Sequence, residues 1–233
     1  VVTQEQAALF ADGRYTLQAL NQCPEPLFEH HHLISEPVLA WLKETLLPGQ
    51  SVALDGRVVT YRFFKTVEAE LRDLGITLQA LTHNLIDDIW TDRPAALMSP
   101  AILLSEAYSG ESSTSKRSRV AESLKAAGAD AAIISQLDSI AWLLNIRGND
   151  VPHLPVLLSQ SILLSDGTQH LFIDPAKIPD GFTEHVGKSV FVHDATDFSG
   201  FLERYGAQQP SILLDPDSTN ALTALTCLSS DCR

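Results

Sequence analysis

Residues 61–74 limit the possible folds most. Phe64, Val67, Leu71 and Leu74 recur at helical spacing, and Gly75 sits where that helix must stop. Strand-like runs flank it at 51–54 and 76–80. The alternation returns after a stretch at 87–107 that contains Pro94 and Pro100 and reads as a linker. A Gly-, Ser- and Thr-rich run at 108–116 leads into a predicted helix at 116–127, ended by Gly128. A strand at 131–135 and a short helix capped by Asp138 come next. Two strands, 156–164 and 169–174, flank the hairpin signal Ser165-Asp166-Gly167. A strand at 190–193, a helix at 198–205 and a strand at 212–215 complete the pattern. Two blocks of alternating strands and helices predict two α/β domains. After Asp217 the pattern fades, and the tail reads as truncated.

The opening block is less regular. Residues 1–11 read as one or two strands, 16–21 as the start of a short helix, and 23–33 as a loop. Ser35 is a candidate cap for a helix carrying Leu39, Trp41, Leu42 and Leu46, with Pro37 just inside it and Pro48-Gly49 as its stop. The chain has no initiator Met and opens on Val1-Val2-Thr3, so the expectation is a piece of a longer polypeptide.

Composition narrows the function classes. There are 29 Asp and Glu against 16 Lys and Arg, a net charge of −13. Such a surface repels phosphate backbones, so no nucleic-acid partner is expected. No apolar stretch approaches the ~20 residues of a membrane helix, and no membrane partner is expected. Cys23, Cys227 and Cys232 are odd in number and lack metal-ligand spacing. They read as free thiols in a reducing cytoplasm.

Four stretches could carry chemistry. Asp12-Gly13-Arg14-Tyr15 ends an apolar run, and Gly13 can take the positive φ of a sharp turn. Arg14 then projects from a strand end, where a planar fork of donors suits a carboxylate or a peptide carbonyl. A solvated turn arginine is the plain alternative. His30-His31-His32 cannot all point one way and reads as a solvated loop. The other histidines, and the Asp87-Asp88 pair, fall at no recognisable metal spacing. Residues 137–155 run from an amphipathic helix with an expected buried Trp142 into Arg147-Gly148-Asn149-Asp150 and a proline-stiffened loop. The plain reading is a helix C-cap at Gly148, with Arg147 on the negative end of the dipole. The functional reading is a rim facing a cleft. No nucleophile elbow and no glycine-rich phosphate loop occurs.

Together the quoted stretches resemble the Xaa-Pro aminopeptidase family, the three-domain pita-bread metallopeptidases. The family's T/A-D-G-R-Y-x-L-Q-A motif stands at 11–19, I-W-T-D-R-P at 89–94, Y-x-G-x-S-x-x-x-K at 108–116 and L-D-x-I-A-W-L-x-N-x-R-G-x-D-V at 137–151. The resemblance implies an α/β fold of two creatinase N-terminal-like domains, each a mixed sheet flanked by helices. Residues 1–103 would be the remainder of the first domain and 104–233 the second, middle domain, with the C-terminal pita-bread catalytic domain absent. The intact parent would release the N-terminal residue that precedes proline. It would use two divalent metals, manganese, held by ligands outside this chain. This portion, inactive alone, would contribute substrate contact through Arg14 and dimerisation in a cytoplasmic homodimer. The implied partner is a peptide with proline at its second position. Leu154 precedes Pro155 where the family has Asn, and Gln160 stands where an aromatic is usual. A stand-alone peptide-binding or dimerisation module without hydrolase activity is the alternative. A creatinase or prolidase relative is a third reading, disfavoured by the D-G-R-Y and I-W-T-D-R-P pair.

Overall fold

A computed structural model describes residues 1–24, 26–96, 98–230 and 232. Glu25 of the 23–33 loop, Leu97 of the 87–107 linker, and Asp231 and Arg233 of the tail lie outside the described residues. The chain forms two compact units, Val1–Ala53 with Lys65–Gln79, and Leu54–Phe64 with Ala80–Arg233.

In the first unit, β1 (Ala8–Ala11) runs into α1 (Thr16–Gln22) and then β2 (Glu29–His32), which pairs parallel with β1 from Ala8↔Glu29 to Ala11↔His32. The histidine run is therefore a strand rather than the expected loop. Its residues offer no apolar alternation, so nothing in their pattern announces pairing that β1 supplies from outside. The His31 ring stacks on Phe10 at 4.9 Å between centroids, and its Nδ1 lies 2.9 Å from Glu36 Oε2. His30 Nε2 lies 2.7 Å from the Cys23 carbonyl. Helix α2 (Val38–Thr45) buries Trp41 and Leu42. Its N-cap is Pro37, not Ser35, because the residue before a proline is pushed out of the helical region.

The next three elements contribute to both units: β3 (Ser51–Asp55), α3 (Tyr61–Arg72) and β4 (Thr77–Leu81), with β3 paired to β4. These match the periodicity reading to within two residues. Gly75 takes φ +73° at the helix end, as expected of a C-terminal glycine.

The second unit fills part of the expected linker with structure: α4 (Leu85–Ile89), β5 (Ile102–Leu103) and α5 (Glu106–Ser109). Helix α6 spans Ser113–Ala126. It starts three residues before the predicted point because the Ser112 hydroxyl accepts from Ser115 N and caps it. Strand β6 (Ala131–Ile134) and α7 (Leu137–Leu144) follow, then β7 (Ile146–Arg147), antiparallel to β5. The cap of α7 is Gln136; Asp138 sits in the first turn and accepts from Ser139 N. Strands β8 (Gln160–Leu164) and β9 (Gln169–Phe172) make the hairpin read from sequence, with Gly167 at φ +91°. The short α8 (Phe182–Val186), β10 (Val190–His193), α9 (Phe198–Gly206) and β11 (Ile212–Leu213) lead to α10 (Ala221–Ser229). Among the described residues the sheet order is β10-β9-β8-β6-β11, with parallel pairs at both edges.

Both faces of this sheet are covered. Leu171 and Ile173 pack with Ile140, Leu144 and Val186, whereas Phe172 between them packs with Ile133, Phe198 and Leu202. That alternation is the period of a strand, with helices on each side. Helix α10 was not legible as a helix. Its buried face is Ala221, Thr223, Ala224 and Cys227, small residues that give a weak hydrophobic signal. Asn220 caps it through Thr223 N at 2.9 Å.

A buried ion pair anchors the loop after β7. Lys177 Nζ lies 2.7 Å from Asp150 Oδ2, with side chains 6% and 2% exposed, and Leu158 N donates to the same oxygen. Removing one partner strands the other charge away from water. Asp150→Ala is expected to lower the free energy of unfolding by about 3–5 kcal/mol, read from urea titration. A loss below about 1 kcal/mol would show that the pair is dispensable.

A second, half-buried contact makes stability depend on pH. His170 Nδ1 lies 2.9 Å from His193 Nε2, within a cluster of Phe172, Phe191 and Phe201. Burial first, and then the charge of His193, bring the His170 pKa down from 6.5 to about 4; Asp166 opposes them weakly. The unfolded chain takes up a proton that the folded chain refuses, so stability falls as pH drops through 6.5 toward 4. Urea midpoints are expected to fall between about pH 7 and pH 5, and His170→Phe to flatten that slope. An unchanged slope in the variant would assign the pH dependence to other groups.

Candidate functional site

The sequence motifs separate in space into an exposed turn and a buried joint. The turn is built at the end of β1. Asp12 Oδ1 accepts from Arg14 N at 3.0 Å and from Arg14 Nε at 2.7 Å. Tyr15 N donates to the Asp12 carbonyl at 2.8 Å, which closes the turn before α1. The Arg14 guanidinium lies 5.8 Å from the Tyr15 ring centroid and its side chain is 80% exposed. The hydrogen bond from the Arg14 side chain, followed by that from its backbone, holds the Asp12 carboxyl below the usual carboxylate range. With Nε committed to Asp12, the two terminal nitrogens of Arg14 form an outward fork without a partner among the described residues.

Gly13 does not take a positive φ, contrary to the turn expected from sequence. Glycine fits there for a different reason. A Cβ at this position would lie 3.2 Å from His32 Nε2, tighter than ordinary contact. The parallel register that sets Ala11 beside His32 brings that imidazole against the turn.

The joint lies in the second unit. Lys116, of the Y-x-G-x-S-x-x-x-K motif, is 2% exposed. Its Nζ donates to Asn145 Oδ1 at 2.6 Å and to the Trp142 carbonyl at 3.0 Å. Asn145 belongs to the motif at 137–151. It takes φ +52° as the C-cap of α7, a left-handed position that Asn tolerates better than most side chains. Its Nδ2 donates to the Glu111 carbonyl at 2.8 Å, and its own carbonyl lies 2.9 Å from His185 Nε2. Burial lowers the Lys116 pKa. Next to it the Arg117 guanidinium donates to Ser113 Oγ and the Val186 carbonyl, each at 2.7 Å. The two motifs of the second block are thus joined into one hydrogen-bonded unit through Lys116, Asn145 and the Glu111 carbonyl.

Several expectations change accordingly. Gly148 is not the cap of α7; it is small because a Cβ there would lie 2.3 Å from Leu157. Arg147 donates to the carbonyls of Ala141 and Ile146, at 3.1 and 2.7 Å, which fits a cation at the negative end of the α7 dipole. Trp142 is 42% exposed, its ring covered by Lys116 and Arg119 at 4.6 and 5.7 Å from the centroid.

Two cavities lie in the second unit. One of about 250 Å³ is lined by Val151, His153 and Leu154. The other, of about 480 Å³, is lined by Arg57, Gln160, Glu203 and Asn220. Among the described residues no three His, Cys, Asp or Glu side chains converge as metal ligands, so the residues present do not fit a metal pair. Among the described residues no helix is long and apolar enough to cross a membrane.

Comparison with known proteins supplies what the geometry does not. Two family models, both described as the creatinase/prolidase N-terminal domain, match residues 1–88 and 92–232. The Xaa-Pro aminopeptidase ApepP of Drosophila melanogaster is 37% identical over 188 residues, 79% of this chain and 30% of that protein. The Xaa-Pro aminopeptidase app-1 of Caenorhabditis elegans is 29% identical over 97% of this chain and 38% of that protein. The crystal structure of the X-prolyl aminopeptidase from Caenorhabditis elegans, a cytosolic enzyme with a di-nuclear active site, superposes with a TM-score of 0.85. That match covers 95% of this chain and 37% of that one, at 29% identity. The chain spans about a third of the length of these relatives. It belongs to the creatinase/prolidase N-terminal domain family and corresponds to the N-terminal part of Xaa-Pro aminopeptidases.

Proposed function

We infer that this chain is the substrate-gripping, non-catalytic portion of a cytoplasmic Xaa-Pro aminopeptidase. The parent removes the N-terminal residue that precedes proline, with two divalent metals, manganese, bound in a catalytic part outside this chain. Residues 1–103 and 104–233 act as its first two domains, restrict entry to the cleft and help form a homodimer. The observation that carries the reading is the likeness of nearly the whole chain to an X-prolyl aminopeptidase, together with an Arg14 fork that faces solvent. A fixed guanidinium donates to a peptide carboxylate or carbonyl without reorganising, which keeps the peptide in register for hydrolysis elsewhere. Asp12 occupies one edge of the guanidinium and leaves the other to the peptide.

The complete aminopeptidase bearing Arg14→Ala is expected to lose about tenfold to a hundredfold in kcat/KM on a Xaa-Pro peptide. An unchanged kcat/KM would remove Arg14 from the site. The 233-residue chain alone, supplied with manganese, is expected to give no turnover of the same peptide. Hydrolysis by the chain alone would contradict the assignment of catalysis to another part.

A further inference from the structure

We propose that His32 is a second peptide-binding residue, which with Arg14 makes a two-donor clamp for the C-terminal carboxylate of a short peptide. The inference rests on the reading of Arg14 as a peptide contact and extends it to a residue outside the D-G-R-Y motif. His32 ends β2 directly beside Ala11 at the end of β1, and the parallel pairing aims both strands' carboxyl ends at the same place. In open α/β sheets that is the edge where ligands collect.

Three features of the imidazole make it a donor there. Its Nδ1 accepts from Ile34 N and Ser35 N, both at 3.4 Å. Those bonds place the ring proton of the neutral form on Nε2. Nε2 has no hydrogen-bond partner among the described residues, and it lies against Gly13, the residue between Asp12 and Arg14. The half-buried ring is therefore anchored by its other nitrogen, with its one N–H left over at the turn.

The ligand class follows from the donors. Arg14 offers the four N–H groups of its two terminal nitrogens, and His32 offers one from the neighbouring strand end. A carboxylate has two oxygens and about four acceptor sites, enough for donors arriving from two sides. An amide carbonyl has one oxygen and no charge, so it gains less from a cationic partner. Asp12 bars the remaining edge of Arg14 and would repel an anion placed there, so a carboxylate must approach Arg14 through its two terminal nitrogens.

The test is side-chain NMR on the 233-residue chain, following Arg14 Nε–Hε and the His32 ring nitrogens. The chain is titrated with Ala-Pro-Ala as the free acid and, separately, as the C-terminal amide. The free acid is expected to move both signals with one dissociation constant, and the amide to bind about tenfold more weakly. His32→Ala should weaken the free acid about tenfold, and His32→Gln, which keeps an N–H at a similar reach, should stay within about threefold of the parent chain. Movement of Arg14 without His32 would overturn the clamp and leave the Arg14 contact standing. Equal binding of acid and amide would overturn the carboxylate assignment. If neither signal moves, the clamp and the Arg14 contact both fall.

Discussion

The second unit depends on one buried ammonium. Lys116 is taken out of water by the packing of α6 on α7, and two oxygens receive it: the Asn145 side chain and the Trp142 carbonyl. Desolvation of a charge is costly unless its donors are satisfied, so these partners cannot move independently. Asn145 holds its place by adopting a left-handed backbone and by bonding the Glu111 carbonyl through its amide. The entry to α6, the exit from α7 and, through His185, the short helix α8 are thereby fixed to one another. Two sequence motifs that look like a functional site are read physically as a fastening.

Residues 11–19 follow a different logic. There the polar groups are exposed and only half used. Asp12 binds one edge of Arg14, the ring of Tyr15 lies near its guanidinium, and the fork faces water. A frame needs its hydrogen bonds closed, whereas a contact for a ligand needs some left open. By that criterion the open fork of the first unit is the candidate contact proposed above, and the joint of the second unit is architecture. The chain matches the N-terminal part of Xaa-Pro aminopeptidases, about a third of their length.

How much of this was legible depended on the kind of signal each segment carries. Helix α3 and the β8–β9 hairpin were readable because apolar spacing and Gly167 act locally. Strand β2 was not, since three histidines have no period and their pairing is decided by β1. Helix α10 hid behind a buried face of small residues, and α6 hid its start behind serines that cap rather than loop. At the turn, Arg14 was singled out from its residue type and neighbours, but the reason for Gly13 was misread. The position needs a missing side chain to admit His32, and only a register could reveal that.

The claim that the motifs of the second block form a single fastening is tested most directly by a double-mutant cycle on Lys116→Met and Asn145→Ala, with unfolding free energies measured in urea. A hydrogen-bonded unit predicts a coupling of about 1–3 kcal/mol between the two sites. Additive losses, with a coupling near zero, would mean that the two motifs act separately and would contradict the account.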